Sequence, residues 1–288
     1  MLAETPALDP LPELMVEPIV RAALLEDLGR AGDITTDAVV PPGHTSRLVL
    51  TARQAGVVAG LDCARLAFLL LDPGMRFTRH VADGAAVAPG AVLAEVEGSS
   101  RALLTGERTG LNLACRLSGI ASATAGLVQA IAGNRAQIVC TRKTTPGLRA
   151  LEKYAVRAGG GANHRFGLDD AVLVKDNHVA IAGSVAEAVK RVKARAGHMV
   201  KIEVEVDTLA QLEELLTLDA DAVLLDNMTP ETLAEAVRMV GGRMLTEASG
   251  RINRETAPAI AASGVDLISV GWLTHSAPIL DIGLDWAG

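Results

Sequence analysis

The chain predicts an α/β fold whose C-terminal half is a run of βα units forming a shortened or open barrel. Two observations lead there. From about residue 136, short apolar, β-branched runs alternate with amphipathic stretches, as repeated βα units do. Each of those runs also begins apolar and finishes on reactive side chains. Six strands are expected, at 137–143, 171–177, 201–207, 222–227, 243–249 and 267–271. Helices between them are expected at 184–196, 208–218, 230–240 and 254–262. An eight-stranded barrel needs about 250 residues, and the roughly 150 present suit six strands better. A doubly wound sheet is the alternative arrangement of the same units.

The N-terminal half follows a different rhythm. Val16, Ile19, Val20, Ala23 and Leu24 stand at helical spacing, with Pro18 tolerable in a first turn and a stop near Gly29. After Gly32-Asp33-Ile34-Thr35-Thr36 comes an alternating strand through Leu48, Leu50 and Ala52, then an apolar helix over 63–71. Residues 83–96 have the hairpin rhythm of biotinyl and lipoyl carriers, but those carriers need a lysine to modify, and the first lysine here is Lys143. Small β-hairpins in a structural domain are therefore expected. The chain divides near residues 100–136, giving an N-terminal domain at 1–118, a barrel at 119–275, and a tail at 276–288 that returns to the first domain.

Composition narrows the function. The chain is 49% hydrophobic and only 2% aromatic, so its cores are built from Ala, Val, Leu and Ile. A net charge of −7 lacks the basic surplus of a nucleic-acid binder. The N-terminus carries acids and prolines where a secretory signal has a basic start and an apolar run. No stretch reaches the roughly 18 uninterrupted apolar residues of a membrane span. Cys63, Cys115 and Cys140 are too scattered for a disulfide framework or a zinc site. A cytoplasmic protein with no nucleic-acid or membrane partner is expected.

The strand endings carry the chemistry. They are Thr141-Arg142-Lys143, Lys175-Asp176-Asn177-His178, Glu203 and Glu205, Asp226-Asn227, Glu247 with Ser249-Gly250, and Gly271 with Thr274-His275. Parallel βα folds gather these ends at one face, where active sites form. A single strand-end Lys or Asp is usually a solvated cap; six polar endings at one mouth are not explained that way. Arg142, Lys143, Arg165 and Lys175 supply cations suited to carboxylate or phosphate. Glu205 and Asp226 supply hard oxygen ligands for Mg2+. Ser249, Gly250 and Gly271 lie where barrels hold phosphate on backbone amides. Together they imply a polyanionic, phosphate-bearing substrate. Glu203 shares a face with Glu205 and, lying deeper, suits a structural pairing with Lys201 or an arginine. Gly159-Gly160-Gly161 follows a helix, so it lacks the dinucleotide-binding context. His178 and His275 stand between supporting hydrogen bonds and substrate contact, while His80 and His198 read as surface residues.

These residues resemble the quinolinate phosphoribosyltransferases, the decarboxylating nicotinate-nucleotide pyrophosphorylases. The resemblance rests on Glu26-Asp27 with Gly32-Asp33-Ile34-Thr35-Thr36, Glu107-Arg108-Thr109-Gly110-Leu111-Asn112, Thr141-Arg142-Lys143-Thr144-Thr145-Pro146-Gly147-Leu148-Arg149, and Gly159-Gly160-Gly161-Ala162-Asn163-His164-Arg165. It continues through Lys175-Asp176-Asn177-His178, Glu203-Val204-Glu205-Val206, Leu225-Asp226-Asn227, Glu247-Ala248-Ser249-Gly250 and Thr274-His275-Ser276, and so covers nearly the whole chain from about residue 20. It implies an N-terminal α/β sandwich domain plus an open six- or seven-stranded βα barrel, in a homodimer whose active site the neighbour completes. It further implies that Arg142, His164, Arg165 and Lys175 hold quinolinate, with Arg108 entering from the other subunit. Lys143, Glu205 and Asp226 would face phosphoribosyl pyrophosphate and its Mg2+, and Ser249, Gly250 and Gly271 the 5′-phosphate. Arg251 has no implied role.

The implied reaction moves phosphoribosyl to the ring nitrogen through an oxocarbenium-like transition state, with Mg2+ and Lys143 meeting the departing pyrophosphate. The new cationic ring nitrogen then stabilises the carbanion left as CO2 departs. Positioning supplies much of the rate. Alternatives are a barrel transferase acting on nicotinate, a molybdenum-transport-associated relative of the same family, and a non-catalytic binder of phosphorylated metabolites.

Overall fold

A computed structural model describes residues 8–287. In chain order the first elements are α1 (Glu13–Leu28), α2 (Ile34–Val39), β1 (Thr45–Ala52), β2 (Gly56–Val57), α3 (Leu61–Leu69), β3 (Arg76–Arg79), β4 (Ala86–Val87), β5 (Val92–Ser99) and α4 (Ser100–Ala130). They are followed by β6 (Gln137–Val139), α5 (Arg149–Ala158), β7 (Val172–Val174), α6 (Asp176–Ala182), α7 (Val185–Lys193), β8 (Ile202–Val206), α8 (Leu209–Leu215) and β9 (Ala222–Asp226). The chain finishes with α9 (Pro230–Val240), β10 (Leu245–Ser249), α10 (Ala257–Ala262), β11 (Leu267–Ser269), α11 (Trp272–His275) and β12 (Ile282–Trp286). Two compact units result. One comprises the residues up to Ala125 with Thr144–Gly160 and Leu273 onward; the other comprises Gly126–Lys143 and Gly161–Trp272.

The first unit is an α/β sandwich. Its antiparallel sheet runs β12-β1-β5-β3. The C-terminal strand thus returns to the N-terminal sheet, with Leu50 opposite Leu284. Period-two alternation turns Leu48, Leu50 and Ala52 of β1 inward, where they meet Leu61, Ala64 and Phe68 of α3 and Leu103, Leu111 and Ala114 of α4.

Several sequence expectations change here. Helix α1 begins at Glu13, so Pro18 sits in its second turn and not its first. The proline is accommodated near the helix start, and the buried stripe of Val16, Val20 and Leu24 stays intact. Helix α2 was not foreseen; Asp33 caps it by accepting the Thr36 N–H at 2.9 Å. Residues 83–96 do not form a hairpin of their own. β4 pairs with β2, and β5 lies between β1 and β3. The apolar Leu93, Ala94 and Val96 are wanted in the larger core, which draws β5 there.

The 31-residue helix α4 was also unforeseen. Its sequence is dense in Gly, Ser, Ala and Thr, which read as a boundary. The small residues are there for close packing. Ser118 Oγ accepts from the Ala59 N–H at 2.9 Å and donates to the Ala59 carbonyl at 3.0 Å. A Cβ on Gly119 would lie 2.1 Å from the Pro278 carbonyl oxygen. Among the described residues α4 is the one helix long and apolar enough to cross a membrane, and 61% of its apolar window is buried inside the protein.

Segment Thr144–Gly160 belongs with the sandwich, although its place in the sequence is inside the barrel half. Two polar anchors account for this. Tyr154 donates to Asp83 at 2.9 Å, and buried Glu152 pairs with Arg116 at 2.7 Å. Gly159 closes α5, where a Cβ would meet the Ala121 carbonyl oxygen at 2.3 Å, so this glycine serves packing.

The second unit holds a six-stranded sheet in the order β6-β11-β10-β9-β8-β7. Every pairing in it is parallel. A short parallel bridge from Val139 to Ala162 adds the start of a seventh strand beside β6. The barrel is therefore open, with six full strands and one stub. All six expected strands are present, each shorter than its expected range; Glu203, Glu205 and Glu247 lie within their strands, and the other reactive endings lie at or past the strand termini.

Candidate active site

The strand ends surround a cavity of about 370 Å3 lined by Thr141, Arg142, Lys143, His164, Arg165, Leu173, Lys175, Glu205, Leu224, Asp226, Glu247, Ser249 and Ser269. Register explains the gathering. Glu205 lies opposite Leu224, Leu224 opposite Glu247, and Asp226 opposite Ser249. Since side chains repeat every two residues, these positions share the inward face of the sheet. Val204, Val206, Val223 and Leu225 occupy the other face and are fully buried.

One side of the cavity is cationic. Arg142 follows β6, and Arg165 follows the Ala162 stub. Buried Arg142 Nε has no hydrogen-bond partner. Burial, and then the like charge of Arg142, pull the Arg165 guanidinium below its ordinary range. Arg165 is fixed by donating to the Ala171 carbonyl at 3.1 Å. Two partly desolvated guanidiniums beside one another call for an anion, and their forked donors suit carboxylate. Lys175, at the end of β7, stands 3.9 Å from Glu205.

The other side is acidic. Burial holds the Glu205 carboxyl above its ordinary range; Lys175 opposes this, and Asp226 adds to it. Two neighbouring carboxylates on adjacent strands form a donor set that a hard divalent cation would neutralise. Beside Asp226, Asn227 has φ 53°, the positive value among described non-glycine residues. It donates through its backbone to the Ser249 carbonyl at 3.0 Å. Gly250 has φ 140°, and a Cβ there would lie 2.9 Å from Asn227 Oδ1. Only glycine fits such an approach.

Beneath these residues lies a group that joins His164, expected to hold quinolinate, to Glu203 and Glu247. His164 donates Nε2–H to Glu203 at 2.9 Å, and its Nδ1 accepts the Arg165 N–H at 2.7 Å. The Glu203 partner is thus His164; Lys201 pairs with Asp221 instead. Glu247 approaches the same histidine at 3.6 Å. Burial, followed by the charge of Glu203, pushes the Glu247 carboxyl up to about 7.

The cavity brings together Arg142, Lys143, His164, Arg165, Lys175, Glu205, Asp226 and Ser249. Gly250 and Gly271 follow β10 and β11 but are not among its lining residues, and Arg108 is exposed on α4. His178 caps α6, with Nδ1 accepting the Lys175 N–H at 2.9 Å. It lines a separate apolar cavity of about 260 Å3 that contains no acid. His275 is exposed and bonded to Ser276. Sequence reasoning named Thr141 and Glu247 as strand endings without a role and left out Ser269. Inward register with Glu205 was the available signal for Glu247.

Both parts of the chain match domains of known proteins. Residues 33–118 match the model of the quinolinate phosphoribosyl transferase N-terminal domain, and residues 120–285 match that of its C-terminal domain. A Mycobacterium leprae protein, nicotinate-nucleotide pyrophosphorylase (carboxylating), is 48% identical over 274 residues, covering 92% of this chain and 95% of that one. The crystal structure of NadC from Streptococcus pyogenes superposes with TM-score 0.92 at 40% identity, covering 97% of this chain and 100% of that one. Nicotinate-nucleotide pyrophosphorylase from Francisella tularensis gives TM-score 0.92 at 38% identity, covering 96% and 98%. From its sandwich to its last barrel strand, the chain belongs to the quinolinate phosphoribosyltransferase family.

Proposed function

We propose that the chain transfers phosphoribosyl from phosphoribosyl pyrophosphate to quinolinate with decarboxylation, giving nicotinate mononucleotide, CO2 and pyrophosphate for NAD biosynthesis. The observation that carries this reading is one cavity with Arg142 and Arg165 on one side and Glu205 and Asp226 on the other. A dicarboxylate satisfies the guanidiniums, including the orphaned Arg142 Nε. Lys175 adds charge, and His164, with both ring nitrogens engaged inside the protein, shapes the floor beneath the ring.

The pyridine nitrogen is already a lone-pair nucleophile, so no general base is needed and orientation dominates. Lys143 and the amides around Ser249, Gly250 and Gly271 are assigned to the phosphoribosyl group and its phosphates. Glu205 and Asp226 are assigned to Mg2+, directly or through water. Bound there, Mg2+ supplies charge neutralisation for the departing pyrophosphate. Neutralising Asp226 as Asp226→Asn should raise the Mg2+ requirement and leave quinolinate binding intact. Full activity at low Mg2+ would remove the metal assignment.

Exposed Arg108 is assigned to the active site of a partner subunit in a homodimer. Mixed Arg108→Ala and Lys143→Ala proteins should regain activity through hybrid sites, and none returning despite demonstrated subunit exchange would refute a shared site. The three cysteines are buried and form no disulfide, which suits a reducing compartment, and we assign the chain to the cytoplasm.

A further inference from the structure

His164, Glu203 and Glu247 each bring a potential ligand atom to one spot, all within 4.8 Å of one another. Such a trio has the composition of a metal centre, but His164 argues against one. A metal on Nε2 would force the ring proton onto Nδ1, where the Arg165 N–H already donates at 2.7 Å. Two donors would then face each other. What the trio is built to hold is a proton.

The geometry selects its place. Glu203 takes the imidazole N–H at 2.9 Å, whereas Glu247 is 3.6 Å from the same nitrogen. The Glu247 side chain is 1% exposed, and its Oε1 has no hydrogen-bond partner. Two carboxylates sharing one N–H in a dry site do not both ionise. The less well-bonded one keeps the proton.

We propose that Glu247 delivers the proton that replaces the departing carboxylate at C2 of the pyridine ring. This assignment rests on the quinolinate reading above. The C2–carboxylate bond breaks, CO2 leaves, and the electron pair stays on C2 beside the cationic ring nitrogen. That pair takes the proton from Glu247, which becomes a carboxylate and is reloaded from solvent through the cavity. The groups facing Glu247 are Glu203 from β8, His164 beyond the Ala162 stub and Ser269 from β11. Burial and Glu203 favour its protonated form, while His164 and Ser269 oppose it. Among the described residues, Glu247 is the acid with a buried, unpartnered oxygen.

By microscopic reversibility, a group that protonates C2 also removes that proton from the product. Nicotinate mononucleotide in deuterium oxide should lose its C2 proton signal in the NMR spectrum faster with wild-type enzyme than without it. Glu247→Gln should slow this exchange by about 100-fold or more, the usual contribution of a positioned general acid. Calorimetry should show nicotinate mononucleotide still bound. Exchange at the wild-type rate in Glu247→Gln overturns the assignment, as does wild-type exchange no faster than that of the free nucleotide. If Glu247→Gln does not fold, Glu247→Asp retracts the acid by one methylene and should also slow exchange; undiminished exchange there overturns the assignment too. Formation of nicotinate mononucleotide from quinolinate is measured first with wild type. Its absence refutes the proposed function, whereas its presence with exchange surviving in the variants refutes only the role of Glu247.

Discussion

Glu152 offers the sharpest test of how the segment after Lys143 is held. Its side chain is fully buried, while that of Arg116 is 25% exposed. The carboxylate accepts from Arg116 at 2.7 and 3.2 Å, from the Thr145 N–H at 3.0 Å and from the Thr145 hydroxyl at 2.8 Å. Replacing Glu152 with alanine leaves the Thr145 N–H without this acceptor. Arg116 keeps only the Thr274 carbonyl at 2.7 Å and the Thr145 hydroxyl at 3.3 Å. Removing one partner of a buried pair costs about 3–5 kcal/mol. The partial exposure of Arg116 returns some solvation, so the low end applies, about 3 kcal/mol. Glu152→Gln keeps the shape and one acceptor oxygen, and should cost about 1–2 kcal/mol. Urea unfolding of the three proteins gives these differences directly. In thermal melts the alanine variant should fall by roughly 6–12 °C, at about 2–4 °C per kcal/mol. Thr145 lies two residues after Lys143, so the folded glutamine variant should also turn over more slowly. A loss under about 1 kcal/mol for alanine, or equal losses for alanine and glutamine, would refute the reasoning.

Selectivity for a dicarboxylate follows from Arg142 and Arg165. With nicotinate bound, one half-buried guanidinium lacks a partner; its partial exposure puts the cost at the low end of the buried-charge range, about 3 kcal/mol, so quinolinate should be favoured by about 100-fold in kcat/KM. Arg165→Ala should lose quinolinate binding in calorimetry while keeping most of its phosphoribosyl pyrophosphate binding; comparable rates on both acids in wild type would contradict this. Stability should also carry the signature of Glu247. Its folded pKa is raised from 4.5 to about 7, so its stabilising contribution is full below 4.5 and is lost as pH rises through 7. Glu247→Gln removes that dependence, so denaturant titrations from pH 4 to 8 should show the variant gaining on wild type by on the order of 3 kcal/mol across this window. A constant difference between the two proteins would show that Glu247 titrates normally.

The barrel was legible because its signals are local. Each strand is a short apolar run, and parallel topology forces the polar ends to one mouth. Helix α9 was located at its full extent, since Thr229 caps it and Pro230 starts it. The first unit was harder to see. Its long helix α4 is specified by close approach, through Ser118, Ser122 and Gly119, and composition alone makes those residues look like a linker. The β4–β5 segment has turn chemistry suited to a hairpin, but the demand of a larger core decides its pairing. At the site, single residues were visible as strand endings. The His164–Glu203–Glu247 group was not, because it joins three elements whose register appears only once the sheet is assembled.

The central claim is that one cavity couples phosphoribosyl transfer to loss of a carboxylate. The most direct test supplies quinolinate labelled at its 2-carboxyl carbon, with and without phosphoribosyl pyrophosphate and Mg2+. Labelled CO2, nicotinate mononucleotide and pyrophosphate should appear in equal amounts, and only when phosphoribosyl pyrophosphate is present. Pyrophosphate release from nicotinate with no labelled CO2 from quinolinate, or binding of both substrates with no turnover, would contradict the account.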